Sequence, residues 1–280
     1  MAQRSHFVCF DPDTEGLESY LAGAREHLDI VLDQSETGME IVSGTHRYVT
    51  EANWKLLLEN GFDGYHLAST HKTYFQYLSG IWPEMPKNTL GTAVDLGNGH
   101  VALEHEAFFG RPIALWSPLF GEEMKDEIDD LRRKLIGKHG EKRGRRICDK
   151  GHNFLIFPNL VILDTIGIVI RVPEALEPGK MMVSAWQLAP KGESPALRAM
   201  RLNASSTFFG PGGFSTPDDV EVLELCQQGF EAGGVEWSDA SCGMHNDQAR
   251  LLDEFQLRVF WRGWLARMME RRLDGKEHSS

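Results

Sequence analysis

Three strand-like stretches in the second half of the chain most restrict its fold. They are FLIFPNLVILDTIGIVIRV (154–172), KMMVSAWQLAP (180–190) and LRAMRLNASSTFF (197–209). Each is rich in β-branched and aromatic residues, and Pro/Gly/Lys turns separate them. Such short connections favour neighbouring antiparallel strands. Residues 37–49 read as strand with a turn. Residues 91–106 read as a hairpin, because Gly97-Asn98-Gly99 is turn chemistry between alternating segments. Helices are expected elsewhere. Thr50 is a candidate N-cap before a segment with Trp54, Leu57 and Leu58 at helical spacing. Residues 121–146 read as an exposed charged helix followed by a basic loop. Thr216 is a candidate N-cap with Pro217 at the first helical position, and DQARLLDEFQLRVFWRGWLARMMERRL (247–273) reads as a last helix. The expectation is an α+β fold: an antiparallel β-sheet flanked by helices, in one domain over 1–280.

Composition narrows the function. Of 280 residues, 41 are acidic and 29 basic, a formal net charge of −12, which disfavours nucleic acid and anionic membranes as partners. No run of about 18 apolar residues suggests a membrane span, and the first residues lack the apolar core of a secretory signal. Cys9, Cys148, Cys226 and Cys242 are few and scattered. A disulfide framework is not expected, and a reducing, cytoplasmic setting fits.

The chemistry concentrates in Asn60-Gly61-Phe62-Asp63-Gly64-Tyr65-His66-Leu67-Ala68-Ser69-Thr70-His71. Two histidines and one carboxylate form the facial triad of non-haem Fe(II) oxygenases, which leaves half the metal's sphere open. Residues five apart on an ideal helix are rotated by about 140° from each other, so His66 and His71 converge only if the helix breaks between them. Asp63 and His66 are i, i+3 and face each other, so Asp63 can orient His66. The plainer alternative is a pair of satisfied histidines, one buried and one at the surface. His100 and His105 repeat the spacing on a predicted strand, where an odd separation points side chains to opposite faces.

The segment TEANWKLLLENGFDGYHLASTHKTYF (50–75) resembles the iron-binding segment of the large (α) subunit of Rieske non-haem iron aromatic-ring-hydroxylating dioxygenases, in its benzoate/cumate-like branch. The match runs through Asn53-Trp54-Lys55, Glu59-Asn60, Asp63, His66 and His71. HNFLIFPNLVILD (152–164), FFGPGGFSTPDDVEVLELCQ (208–227) and DEFQLRVFWRGWLARM (253–268) are similar to the family's pocket strand, third-ligand segment and C-terminal helix. The resemblance implies a helix-grip, START-like catalytic domain with Fe(II) on His66, His71 and Asp219. It places Asn60 and Asp63 in the catalytic machinery, Asp63 bridging to a Rieske-cluster histidine of the neighbouring subunit. Phe62, Leu67, Asn153, Leu163, Phe209 and Phe214 would line the pocket. The implied reaction is dihydroxylation of an aromatic acid by dioxygen. Its electrons would come from NADH through a reductase, with or without a ferredoxin, and a [2Fe–2S] Rieske cluster. The implied assembly is a homotrimer, often with small β subunits.

For Asp219 the competing role is helix capping, since Asp218 and Asp219 follow Thr216-Pro217 in a first turn; Asp218 competes as ligand. No arginine stands out as a carboxylate clamp: Arg171, Arg198 and Arg201 fall on predicted strands, with solvent as the plain alternative. The C-x-H motif of a Rieske domain does not occur, and the single C-x2-H, Cys242 to His245, has no partner. The expectation is therefore a catalytic domain alone, its Rieske domain either lost or truncated, or carried on another polypeptide that would supply the cluster in trans. Two other readings are a non-catalytic module for a hydrophobic ligand and a zinc hydrolase. The second lacks a Glu beside the first histidine.

Overall fold

The computed structural model describes residues 7–86, 90–111, 114–234 and 236–277, with side chains described to residue 269. Two short helices, α1 (Leu17–Leu21) and α2 (Ala24–Leu32), precede β1 (Met39–Ile41) and β2 (His46–Thr50). Then come α3 (Trp54–Gly61), α4 (Leu67–Thr70), α5 (Lys72–Ile81) and the hairpin β3 (Gly91–Gly97) and β4 (His100–Glu106). Helices α6 (Lys125–His139) and α7 (Glu141–Asp149) lead into β5 (Lys150–Ile156), β6 (Leu160–Asp164), β7 (Ile168–Glu177) and β8 (Lys180–Pro190). Helices α8 (Pro195–Phe209), α9 (Thr216–Glu231) and α10 (Phe255–Glu277) complete the order.

The strands form one antiparallel sheet in the order β1-β8-β7-β6-β5-β4-β3, with β2 also on the outer side of β8. Helices cover both faces. Alternation along each strand divides the core accordingly: Phe154, Ile156 and Ile162 pack with Ile30 and Val31 of α2, while Leu155, Val161 and Leu163 pack with Leu58 and Phe260 of α3 and α10. Burial on both faces explains the nearly continuous apolar runs. The β3–β4 turn has positive φ at Gly97, Asn98 and Gly99. A Cβ on Gly263 of α10 would lie 2.6 Å from Gly99 Cα, so helix and turn touch backbone to backbone.

Several expected boundaries move. LRAMRLNASSTFF is helix α8, not strand. The Ser194 side chain accepts from Leu197 N at 3.1 Å, Pro195 opens the first turn, and Leu197, Arg201, Ala204, Ser205 and Phe208 are buried at helical spacing. Arg198 and Arg201 therefore lie on a helix, where both pair with Glu193. The basic loop is helix α7, separated from α6 by Gly140 at φ +77°. Thr50 is the last residue of β2; Asn53 caps α3 by accepting from Lys55 N. Ser215 stands one residue before the expected cap Thr216. The last helix begins at Phe255, since the Asp253 carboxylate ties the preceding turn by accepting from Arg250 N and Asn246 Nδ2. Cys242 is exposed, and no described helix is long and apolar enough to cross a membrane.

On the α2 face, Arg111 and Asp164 form a buried ion pair at 2.5 Å. Gln34 Nε2 also donates to Asp164, and Arg111 donates to the Ile147 and Lys150 carbonyls. Removing one partner leaves a buried charge uncompensated. Denaturant titration of Asp164→Asn or Arg111→Met should show a loss of about 3–5 kcal/mol, and the double Arg111→Met/Asp164→Leu variant a smaller loss than either.

Burial also holds the imidazoles of His27, His100 and His105 below their usual pKa, and that of His152 well below it. His100 shows the neutral form in use: its Nδ1 accepts from Phe157 N and its Nε2 donates to the Tyr20 carbonyl. The unfolded chain binds protons near pH 6.5 and the folded chain does so only lower, so stability is lost as pH falls through that value. Melting curves from pH 7.5 to 5.5 should show a falling Tm, with a shallower slope in His152→Gln. A flat profile in the parent would contradict this.

Candidate metal centre

Helix α3 sets the first half of the site. A Cβ on Gly61 would lie 2.8 Å from Val161 Cγ1, so only glycine lets the end of α3 seat directly on β6. Asn60 is thereby held over the sheet, and the chain turns at Asp63. One Asp63 carboxylate oxygen accepts from Tyr65 N at 2.9 Å. The other accepts from His66 N and from His66 Nδ1, both at 3.0 Å. Asp63 thus opens the one-turn helix α4 and fixes the His66 ring.

The break demanded by the five-residue spacing is present. α4 ends at Thr70, and His71, with φ and ψ of −95° and 33°, leaves the helical range before α5 starts. The two rings come together nearly perpendicular, with centroids 5.2 Å apart.

The second half comes from the α8–α9 turn. A Cβ on Gly213 would lie 2.8 Å from three carbonyl oxygens, those of Ser206, Thr207 and Phe208, so the FGPGGF loop closes only with glycine there. Phe214 N and Ser215 N donate back to the carbonyls of Thr207 and Phe208. The first turn of α9 then presents two carboxylates. Asp219 points inward and is 4% exposed. Its Oδ1 lies 3.3 Å from His71 Nε2 and 3.8 Å from His66 Nε2. Asp218 meets the other face of His71, with Oδ2 3.6 Å from Nδ1.

His66, His71 and Asp219 thus each turn one ligand atom toward the same point, all within 4.8 Å of one another. Donors at about 2.1 Å from one ion stand about 3 Å apart in adjacent octahedral positions, so the cluster fits a divalent metal with little movement. Asn60 Nδ2 donates to Asp219 Oδ1 at 3.0 Å and lies 3.3 Å from His66 Nε2; Ser215 Oγ donates to Asp219 Oδ2 at 3.1 Å. Burial alone would raise the Asp219 carboxyl. The His71 hydrogen bond and charge, with Arg171 and His66, outweigh it and hold the group below the usual carboxylate range. Burial likewise opposes ionisation of Asp63, and its bond to His66 reverses the effect.

His27, Glu104 and His152 form a second such group. There Arg146 already donates to Glu104 Oε2 from Nε at 2.8 Å and Nη2 at 2.7 Å, so the carboxylate is matched by a cation of the chain itself.

A cavity of about 60 Å³, partly open to solvent, adjoins the His66 cluster. Leu67, Asn153, Leu163 and Phe209 are among its lining residues. Phe62 and Phe214 are not among its lining residues. Phe62 is fully buried beneath α3, its ring 5.9 Å from Phe260. Phe214 stacks on Tyr77 at 5.0 Å, outside the wall. The sequence reading missed Ser215, Phe208, Leu103, His105 and Leu251. Leu103 and His105 were accessible from alternation along β4; Ser215 and Leu251 had no local signal. Arg171 also lines the cavity rather than facing solvent.

Asp63→Asn keeps the turn acceptor and removes the charge behind His66. Calorimetric titration with Fe(II) should show affinity lowered about 10- to 100-fold while the far-UV spectrum stays unchanged. Unchanged affinity would exclude an orienting role.

Comparison with known proteins places this chain in a family. Residues 39–262 match the sequence model of the ring-hydroxylating α subunit (catalytic domain). The large subunit of 2-halobenzoate 1,2-dioxygenase of Burkholderia cepacia is 32% identical over 244 residues, covering 85% of this chain and 50% of that protein. Subunit alpha of toluate 1,2-dioxygenase of Pseudomonas putida is 32% identical, covering 80% and 49%. The chain therefore spans about half the length of these relatives. Among solved structures, naphthalene 1,2-dioxygenase from Rhodococcus sp. bound to indole superposes with a TM-score of 0.71 at 23% identity, over 91% of this chain and 62% of that one. The fold is shared, and the chain belongs to the family of ring-hydroxylating α-subunit catalytic domains.

Proposed function

We propose that this chain is the catalytic part of an oxygenase component that dihydroxylates the ring of an aromatic carboxylate. The observation that carries this is the convergence of His66 Nε2, His71 Nε2 and Asp219 Oδ1 beside an aromatic-walled cavity. The halobenzoate, toluate and anthranilate 1,2-dioxygenase relatives support the substrate class. Fe(II) bound by these three groups would supply activation of dioxygen, with electrons from NADH delivered through a reductase and a [2Fe–2S] Rieske cluster on another domain or chain.

The protein's own groups have defined tasks in this reading. The His66 Nδ1–H donates to Asp63, which fixes the tautomer and leaves the Nε2 lone pair facing the centre. Asn60 and Ser215 each occupy one oxygen of Asp219 and hold the carboxylate in place. Leu163, Phe208 and Phe209 exclude water from the ring-binding side. Asp63, partly exposed beside Tyr65, would meet a Rieske domain of a neighbouring subunit in a homotrimer. Small β subunits, a ferredoxin and a cytoplasmic location complete the proposal.

The purified chain should bind close to one Fe(II), and His66→Ala, His71→Ala and Asp219→Ala should each abolish it. Equal binding by all three variants would remove the assignment. With a Rieske donor, reductase and NADH added, an aromatic acid should yield its cis-diol. Binding of the acid without oxidation under those conditions would point instead to a ligand-binding module.

A further inference from the structure

Among the described residues three arginines are buried: Arg111, Arg171 and Arg201. Arg111 is paired with Asp164, and Arg201 with Glu193. Arg171 differs. It is 3% exposed, yet among the described residues no carboxylate lies within ion-pairing distance of it. Among the described residues its one hydrogen bond is from Nη2 to Thr216 Oγ1 at 3.2 Å, and its guanidinium carbon lies 5.4 Å from the centre of the Phe209 ring. A guanidinium has five N–H donors in a planar fork, so most of this one's capacity is unused. A desolvated charge without a partner is costly, and chains seldom retain one without a use.

The position of Arg171 says what that use is. The register pairs Val161 with Arg171 and Arg171 with Ala185, while Leu163 pairs with Val169. Arg171 and Val169 are two apart on β7, so Arg171 shares the sheet face of Leu163 and lines the same cavity as His66, His71 and Asp219. Asp219 feels its charge, but the two Asp219 oxygens are already engaged by Asn60 Nδ2 and Ser215 Oγ. The cavity therefore combines apolar and aromatic walls with one unmatched, fork-shaped cation. A flat ring carrying a carboxylate complements both.

We propose that Arg171 is the carboxylate anchor of the cavity: its guanidinium receives the acid group and thereby sets which edge of the ring faces the His66, His71 and Asp219 cluster. This rests on the aromatic-acid reading above and names the residue that would make the site select acids over neutral rings. Arg171 is a binding residue here and takes no part in proton or electron transfer.

The test is equilibrium binding to the purified chain, by calorimetry, of benzoate and of two neutral relatives, benzamide and toluene. The parent should prefer benzoate. Arg171→Gln should weaken benzoate at least tenfold, leave benzamide within twofold, and leave Fe(II) affinity unchanged. Arg171→Lys keeps the charge without the fork and should weaken benzoate severalfold while sparing benzamide; it decides the matter should Arg171→Gln fail to fold. Parent-like benzoate binding in either variant overturns the anchor and leaves the aromatic-acid reading intact. A parallel loss of benzoate, benzamide and Fe(II) also overturns it, since Arg171 would then serve only as a counter-charge to Asp219. A parent that binds toluene as well as benzoate sinks the aromatic-acid reading itself, and the anchor with it.

Discussion

The buried carboxylate of Asp219 is the constraint around which the site is organised. A charge this far from water needs partners, and each partner comes from a different part of the chain. Asn60 reaches it from the end of α3, His66 and His71 from either side of α4, and Ser215 from the turn before α9. The α9 N-terminus adds a favourable dipole. Capping and metal ligation, which competed as explanations at the level of sequence, are therefore compatible: the first turn that stabilises the carboxylate also aims it.

The sheet supplies rigidity beneath this arrangement. Because both faces are covered, the strands that carry Asn153, Leu163 and Arg171 are pinned from behind by the α2 layer and by the Arg111–Asp164 pair. The site-facing row can then include a charge and an amide without loosening the fold, since the opposite row holds the core. On the site-facing row Asn153 and Arg171 both line the cavity, while the opposite row carries its own buried charge pair through Asp164.

Much of this was legible before any coordinates. The hairpin at Gly97-Asn98-Gly99, the strands at 154–190 and the helix carrying Trp54 and Leu57 follow from turn chemistry and periodicity. The necessary break between His66 and His71 follows from helix geometry alone. Helix α8 was misread because its aromatic end, Thr207-Phe208-Phe209, outweighed the helical spacing of Leu197, Arg201, Ala204 and Phe208. Helix α7 was misread because its charge obscured a narrow apolar stripe at Ile147 and Cys148. Phe62 and Phe214 were expected at the cavity on motif position, but the direction of a side chain leaving a turn is set by tertiary packing, which no local pattern encodes. Arg171 was hidden for the same reason: alternation gives a side, not what covers it.

The one-turn helix between the two histidines has a consequence for how the segment can vary. Leu67–Thr70 contains no buried residue, and only Leu67 reaches the cavity wall. Its identity is thus loosely held, yet each residue added or removed would swing His71 by about 100° around the helix axis and shift it along that axis by about 1.5 Å. The segment acts as a spacer gauge: natural variation there is expected as exchange of letters at constant count, with indels confined to loops outside the two imidazoles.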